Sequence, residues 1–200
     1  MEDSTRPLNL EADLLVIGWG KAGKTLARDL ASHGRHVVLV ERDDAMIGGT
    51  CINVACVPTK TLVNLAERRG DRNPDEYLKQ AIASRDALID KLRAANKAML
   101  SGLETVTLVR GEARFAGPRR IRVRSGEETL DITAGAVVVN TGTSPLMPDI
   151  PGIQGRFVYD STTIQHIADG RVPHTLTIVG GGFIGLEFAS MFAAFGSAVR

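Results

Sequence analysis

The chain has 200 residues, 44% of them hydrophobic and 24% charged, and a formal net charge of +1. That length suffices for one sizeable core or two small ones, and the balanced charge leaves no electrostatic footprint for nucleic acid or an acidic membrane. The first ten residues are polar and carry no apolar stretch of a signal peptide. Two cysteines in such a chain therefore read as reactive or metal-bound rather than as a disulfide framework, and the expected compartment is the cytoplasm.

Leu14 to Gly18, "LLVIG", predicts a short buried strand that runs into "WGKAGKTLARDLASHG", whose apolar spacing predicts a helix ending at Gly34. "HVVLVE" predicts a second strand ending at Glu41, which completes a βαβ unit. The connecting turn, Gly18-Trp19-Gly20-Lys21-Ala22-Gly23, fits G-x-G-x-x-G. The first glycine of that pattern makes a tight turn, the second lets a pyrophosphate approach the backbone, and the third lets helix and strand pack closely. Free N–H groups at the positive end of the helix would face the phosphates, and Glu41 stands where a carboxylate takes a ribose hydroxyl pair. The bland alternative is a glycine turn that merely packs, but strand, turn, helix and acid in this order argue for a dinucleotide site.

Next comes "GGTCINVACVPTKTL", with both cysteines, Cys51 and Cys56. On a regular helix their Cα atoms would stand about 8–9 Å apart, beyond the roughly 7 Å a disulfide tolerates. A bond between them requires a distorted segment. Pro58 belongs in a first helical turn, so Cys56 falls at or just before a helix N-terminus, where a thiolate is stabilised. Lys60, four residues on, adds positive charge to the same face. The expectation is an acidic, redox-active thiol pair. A structural disulfide and half of a zinc site remain as alternatives, the second weakened because none of the four histidines is placed as a partner. His33, His36, His166 and His174 all read as surface residues, and no metal site is expected.

"PTKTLVNLAERRG" predicts a helix stopping at Gly70, and "PDEYLKQAIASRDALIDKLRAANKAMLSGL" a long amphipathic helix whose alternating charges read as a solvated face. "TVTLVRGEARFAG", "RRIRVRS" and "TLDIT" predict a small meander attached to the sheet, and "AVVVNTG" a further buried strand. The proline-rich "SPLMPDIPGIQG" reads as a linker. The chain closes on "LTIVGGGFIGLEFASMFAAFGSAVR", a second strand, glycine turn (Gly180 to Gly185) and helix, with another strand just starting at Arg200. Three consecutive glycines and Glu187 argue against a membrane span for this apolar run. Two dinucleotide turns in one chain suggest a flavin and a nicotinamide.

These motifs carry a resemblance. "GGTCINVACVPTK" is similar to the active-site signature G-G-T-C-x-N-x-G-C-x-P-x-K of the class I pyridine nucleotide-disulfide oxidoreductases, which include glutathione reductase, dihydrolipoamide dehydrogenase and mercuric reductase. "VIGWGKAGKTLA", "VVVNTGTSPLMPDIPG" and "VGGGFIGLEFASMFAAFGS" resemble the same family in the same order. Within it, "KAGKTLA", "CINVACVPTKTLV", "VYDST" and "GLEFASMFAAFGS" look closest to reactive-chlorine-resistance flavoproteins, whose implied activity is NAD(P)H-dependent copper(II) reduction. The implied fold class is α/β: a Rossmann-like FAD-binding domain, a parallel sheet with a β-meander, over residues 1–150, then a linker and the first βα unit of a second Rossmann-like, NAD(P)-binding domain over 151–200.

The resemblance also implies cofactors and roles. FAD would lie on Gly18, Gly20, Lys21, Ala22, Gly23, Glu41 and Arg42, with Gly49, Thr50, Ala113, Thr141, Gly142 and Asp160 contributing. NAD(P)H would lie on Gly180, Gly182, Phe183, Ile184 and Gly185, with Phe183 where many relatives have a gating tyrosine. Cys56 would be the thiol nearest the flavin and Cys51 the one that exchanges with a small-molecule or metal-ion acceptor. Lys60 would stand near the flavin and pair with Glu187. Ala55 replaces the signature's glycine, which puts the bend between the thiols in question. The family's C-terminal interface domain, with its His–Glu pair acting across a homodimer, has no counterpart in these 200 residues. The rival expectations are a non-catalytic dinucleotide-binding fragment and a dihydrolipoamide dehydrogenase or mercuric reductase.

Overall fold

A computed structural model describes residues 8–167 and 170–200; most of the opening segment expected to carry no export signal lies outside the described residues. The chain forms two compact units, one running up to Asn53 and again from Leu92 to Gly142, the other comprising Val54–Lys91 and Thr143–Arg200.

The first unit is built on one six-stranded sheet. Its strands are β1 (Leu8–Ile17), β2 (Val37–Glu41), β3 (Val106–Arg110), β4 (Glu112–Gly117), β5 (Arg120–Ser125) and β6 (Glu128–Val139), in the spatial order β3-β2-β1-β6-β5-β4. β3, β2, β1 and β6 run parallel, and β6, β5 and β4 form an antiparallel meander. Leu14–Ile17 of β1 and Val37–Val40 of β2 are continuous apolar runs because both faces of the sheet are covered there. Leu14, Val16, Val37 and Leu39 pack with Ala27 and Ala31 of helix α1 (Lys21–Ser32), while Leu15, Val38 and Val40 pack with Ile121 and Val123 of the meander.

Three sequence expectations shift here. "TLDIT" and "AVVV" are one continuous strand, β6, rather than two. β1 begins at Leu8, six residues before the expected start, because β6 offers it a partner from Leu130 to Val139. "TVTLVR" belongs to the edge of the parallel sheet, beside β2, and not to the meander. Gly135 permits the close approach of β1 and β6: a methyl group there would sit 2.9 Å from the Asp13 carbonyl oxygen.

The second unit is mainly helical. Its core joins Leu62 and Ala66 of α3 (Cys56–Glu67), Tyr77, Leu78 and Ala81 of α4 (Pro74–Ser101), and Phe188, Met191, Phe192 and Phe195 of α5 (Phe183–Phe195). The four α5 residues fall at helical spacing and form one stripe. A two-stranded parallel sheet, β7 (Thr175–Leu176) with β8 (Ala198–Val199), flanks α5 in sequence. The solvated-face reading of α4 fails at Arg85, which is fully buried. Its guanidinium pairs with Asp86 and donates to the Gln165 carbonyl, so the charge is neutralised and hydrogen-bonded where it is buried.

Candidate dinucleotide site and redox cysteines

In the first unit the glycine turn folds around one side chain, Asn140, at the end of β6. Its Nδ2 donates to the carbonyls of Gly18 (3.2 Å) and Gly20 (2.8 Å), and its backbone N–H donates to Ile17 (2.8 Å). Gly18 takes φ +96°, which a side chain would strain, and a methyl group there would sit 2.5 Å from the Asn140 carbonyl oxygen. A methyl on Gly20 would meet Asn140 Nδ2 at 2.8 Å, and one on Gly23 would meet Val16 at 2.5 Å. The helix-packing role expected of the third glycine is thus met by a β1 side chain. Gly20 opens α1 with no side-chain cap, leaving the first-turn N–H groups beside the exposed Lys21 and Ala22 available to an anion.

The same region gathers other expected residues. A methyl on Gly49 would sit 2.6 Å from Gly20 Cα, and one on Gly142 would sit 2.8 Å from Thr50 Oγ1. The first glycine turn, the Gly49–Thr50 step and the Gly142 loop therefore meet, with Thr141 exposed between Asn140 and Gly142. Glu41 ends β2 with its carboxylate fixed by three backbone donors: Trp19 to one oxygen at 2.9 Å, Arg42 and Asp43 to the other at 2.9 and 3.1 Å. The oxygen that accepts from Trp19 keeps lone-pair capacity for a hydroxyl, while the other already takes two N–H donors. Beyond it Arg42, Arg110, Gly111, Glu112 and Arg124 line a cavity of about 880 Å³. Ala113 stands apart from the glycine cluster, on β4 opposite Val123.

Cys51 is half-buried on the short helix α2 (Thr50–Asn53). The buried Asn53 holds the segment, donating to the carbonyls of Ile47 and Gly49 at 2.9 Å and accepting from Arg93. The backbone breaks at Ala55 (φ −125°, ψ −101°), so the two cysteines do not share one regular helix. Its φ is negative, so alanine in place of the signature's glycine meets no left-handed backbone at this position. Cys56 is the exposed first residue of α3, with Pro58 in its first turn as the sequence predicts. No disulfide joins Cys51 and Cys56 in this structure.

In the second unit, Lys60 of α3 donates to Glu187 of α5. Glu187 is partly exposed rather than buried, with 32% of its side chain accessible. The second glycine turn repeats the backbone of the first: Gly180 takes φ +114°, Gly182 opens α5 without a side-chain cap, and a methyl on Gly185 would sit 2.4 Å from the Gly180 carbonyl oxygen. Space around Gly181 and Gly182 is open, and Phe183 and Ile184 are exposed. Asp160 is engaged in its own turn. Burial raises its carboxyl, but hydrogen bonds from the N–H and hydroxyl groups of Thr162 and Thr163 outweigh this and hold it below the ordinary value.

Sequence reasoning missed Asn140 and Asn53. The signal for Asn140 was a lone amide ending the apolar run "AVVVN"; Asn53 is in the signature, but its role needs the turn it bridges.

Residues 12–200 match the pyridine nucleotide-disulphide oxidoreductase family, oxidoreductases that use FAD and NAD(P)H. The chain is 42% identical over 186 residues to RclA of Escherichia coli (strain K12), a probable pyridine nucleotide-disulfide oxidoreductase, covering 92% of this chain and 40% of that protein. It is 38% identical to a dihydrolipoyl dehydrogenase of Thermus scotoductus and 31% identical to a mercuric reductase of Lysinibacillus sphaericus, covering 94% of this chain and 41% and 35% of theirs. A solved Cu(II) complex of the HOCl-induced flavoprotein disulfide reductase RclA from Escherichia coli superposes with a TM-score of 0.86 at 42% identity, over 94% of this chain and 41% of the other. The chain thus spans about two-fifths of the length of these relatives, and it belongs to the pyridine nucleotide-disulphide oxidoreductase family.

Proposed function

We propose that the chain binds FAD in its first unit and NAD(P)H at its second glycine turn, and passes electrons through Cys51 and Cys56 to an acceptor, copper(II) or a disulfide. The observation that carries this reading is the packing of Gly18 and Gly20 on Asn140, of Gly49 on Gly20 and of Gly142 on Thr50, beside a Glu41 carboxylate with spare capacity on one oxygen. With no side chain at Gly18 or Gly20 and no side-chain cap on the first-turn N–H groups of α1, the turn offers bare backbone donors to a pyrophosphate, so the residues fit the group. When bound, the flavin supplies two-electron redox chemistry between a nicotinamide and a dithiol.

The chain's own residues do the rest. First-turn N–H groups of α1, with Lys21 beside them, hold the pyrophosphate, and Glu41 takes the ribose hydroxyls. Arg42 and Ala113 face the adenosine, and Thr50, Thr141 and Gly142 close over the site. Asp160 is the weakest member of the proposed set, since its carboxylate already serves a local turn. Gly180, Gly182, Phe183, Ile184 and Gly185 hold the nicotinamide dinucleotide, with Phe183 as the gate. Lys60, anchored by Glu187, sets positive charge on the α3 face that begins with Cys56. We place this chemistry in the cytoplasm and, at full length, in a homodimer.

A second reading rests on the chain spanning only two-fifths of its relatives: a flavin-binding fragment without turnover. Reconstitution with FAD, followed by counting alkylatable thiols before and after NADH or NADPH, separates the two. The proposal expects stoichiometric flavin and two thiols appearing with the coenzyme. Bound flavin with an unchanged thiol count supports the fragment, and no flavin overturns both. Copper(II), dihydrolipoamide, oxidised glutathione and mercury(II) as substrates then distinguish the enzyme types.

A further inference from the structure

Helix α1 carries one charged residue on its buried face. Lys24 shares the stripe of Ala27 and Ala31 and is 8% exposed. Its Nζ donates to Oδ1 of Asn96 on α4, a neutral amide rather than a carboxylate. Asn96 is 6% exposed and donates its other end to the Leu92 carbonyl at 2.7 Å, so its oxygen is held toward the lysine. The Asn96 side chain also lies under the cysteine segment: a methyl on Gly48 would sit 3.4 Å from its Cγ. Gly49 packs on Gly20, whose carbonyl accepts from the Lys24 N–H at 3.1 Å. The lysine is thus clamped below the turn that leads into Cys51.

A buried ammonium on a single neutral partner is costly unless an anion lies near. Burial holds the Lys24 amine below its ordinary value and Lys21 on the same helix pushes the same way, while Cys51 on α2 pulls it back up. On α4 the neighbouring Arg93 is engaged with Asn53. Among the described residues, Cys51 is an anion-forming group that favours the lysine's charge.

We propose that Lys24 is a positioning residue for Cys51: held by Asn96 beneath the Gly48–Cys51 turn, its ammonium stabilises the Cys51 thiolate. The thiol proton passes to solvent and the charge left on Sγ is balanced by Nζ. This inference rests on Cys51 being the exchanging thiol of the proposed function, and it gives that thiol an activating charge from within its own unit.

The test is the pH dependence of Cys51 alkylation by iodoacetamide, followed by mass spectrometry on the reduced chain carrying Cys56→Ser. Lys24→Met should raise the midpoint by about one pH unit, making alkylation near neutral pH on the order of tenfold slower; Lys24→Arg should keep most of the rate. A folded Lys24→Met chain with an unmoved midpoint overturns the proposal. If Lys24→Met does not fold, the reciprocal coupling is read by NMR of ¹³C-labelled lysine. Cys51→Ser should lower the Lys24 midpoint, and no change overturns the proposal. Neither readout involves flavin or coenzyme, so failure of the redox reading, seen as an unchanged thiol count with NAD(P)H, is registered separately.

Discussion

The two glycine turns share a motif but not an environment. Around Gly18, Gly20 and Gly23 every added methyl would collide with Asn140 or Val16, because β1 lies between β2 and β6 and the end of β6 reaches across the turn. Around Gly181 and Gly182 nothing lies within 4 Å, the adjoining Val179 and Phe183 are 83% and 76% exposed, and β7 has β8 as its strand partner. The lesson is that G-x-G-x-x-G specifies a backbone turn and a helix start, while the walls of a dinucleotide cradle come from neighbouring strands and from a residue distant in sequence.

The largest expected effects break the crowded turn and spare the open one. Gly18→Ala forces a side chain into φ +96° against a backbone oxygen, and should cost more than about 2 kcal/mol and abolish flavin retention. Gly182→Ala, at φ −73° with open space, should leave folding within about 0.5 kcal/mol of wild type. Thermal melting and the flavin-to-protein ratio check both. Asn140→Ala comes next. It removes both side-chain hydrogen bonds to the turn and should cost about 1–3 kcal/mol, with flavin binding weakened at least tenfold by titration.

That prediction marks the limit of what the sequence reveals. The apolar runs, the glycine spacing and Pro58 disclosed both βα units and the start of α3, since these are local signals. Asn140 is one polar residue at a strand end, and its meaning depends on β6 lying beside β1, 120 residues away in the chain. Lys24 stands at helical spacing with Ala27 and Ala31, which was a readable sign of burial. Arg85 stands likewise at helical spacing with Leu78, Ala81 and Ile89, but the backbone carbonyl on a remote turn that makes its burial tolerable has no local signal.

Smaller effects sharpen the contrast between the units. In the first, the buried Asp131 accepts from Arg120 at 2.6 Å and from Arg122 at 2.8 and 3.0 Å. The Arg122 and Arg120 hydrogen bonds hold its carboxyl well below the usual range. Its folded-state value is depressed, so the stability it contributes is present above the unfolded carboxylate range and is lost as pH falls through that range and below. Asp131→Asn should flatten the acid limb of a stability–pH curve measured by urea unfolding. In the second unit, Glu187→Gln breaks a pair whose lysine is 63% exposed. It should cost no more than about 1 kcal/mol while slowing coenzyme-driven reduction, a difference that stopped-flow absorbance and melting together would expose.

The central claim, that flavin, dithiol and nicotinamide communicate in this chain, is tested most directly by anaerobic titration of the flavin-loaded protein with NADH and then NADPH. The account predicts loss of the oxidised flavin bands and a long-wavelength shoulder that disappears in Cys56→Ser. A bound flavin whose spectrum neither coenzyme alters would contradict it.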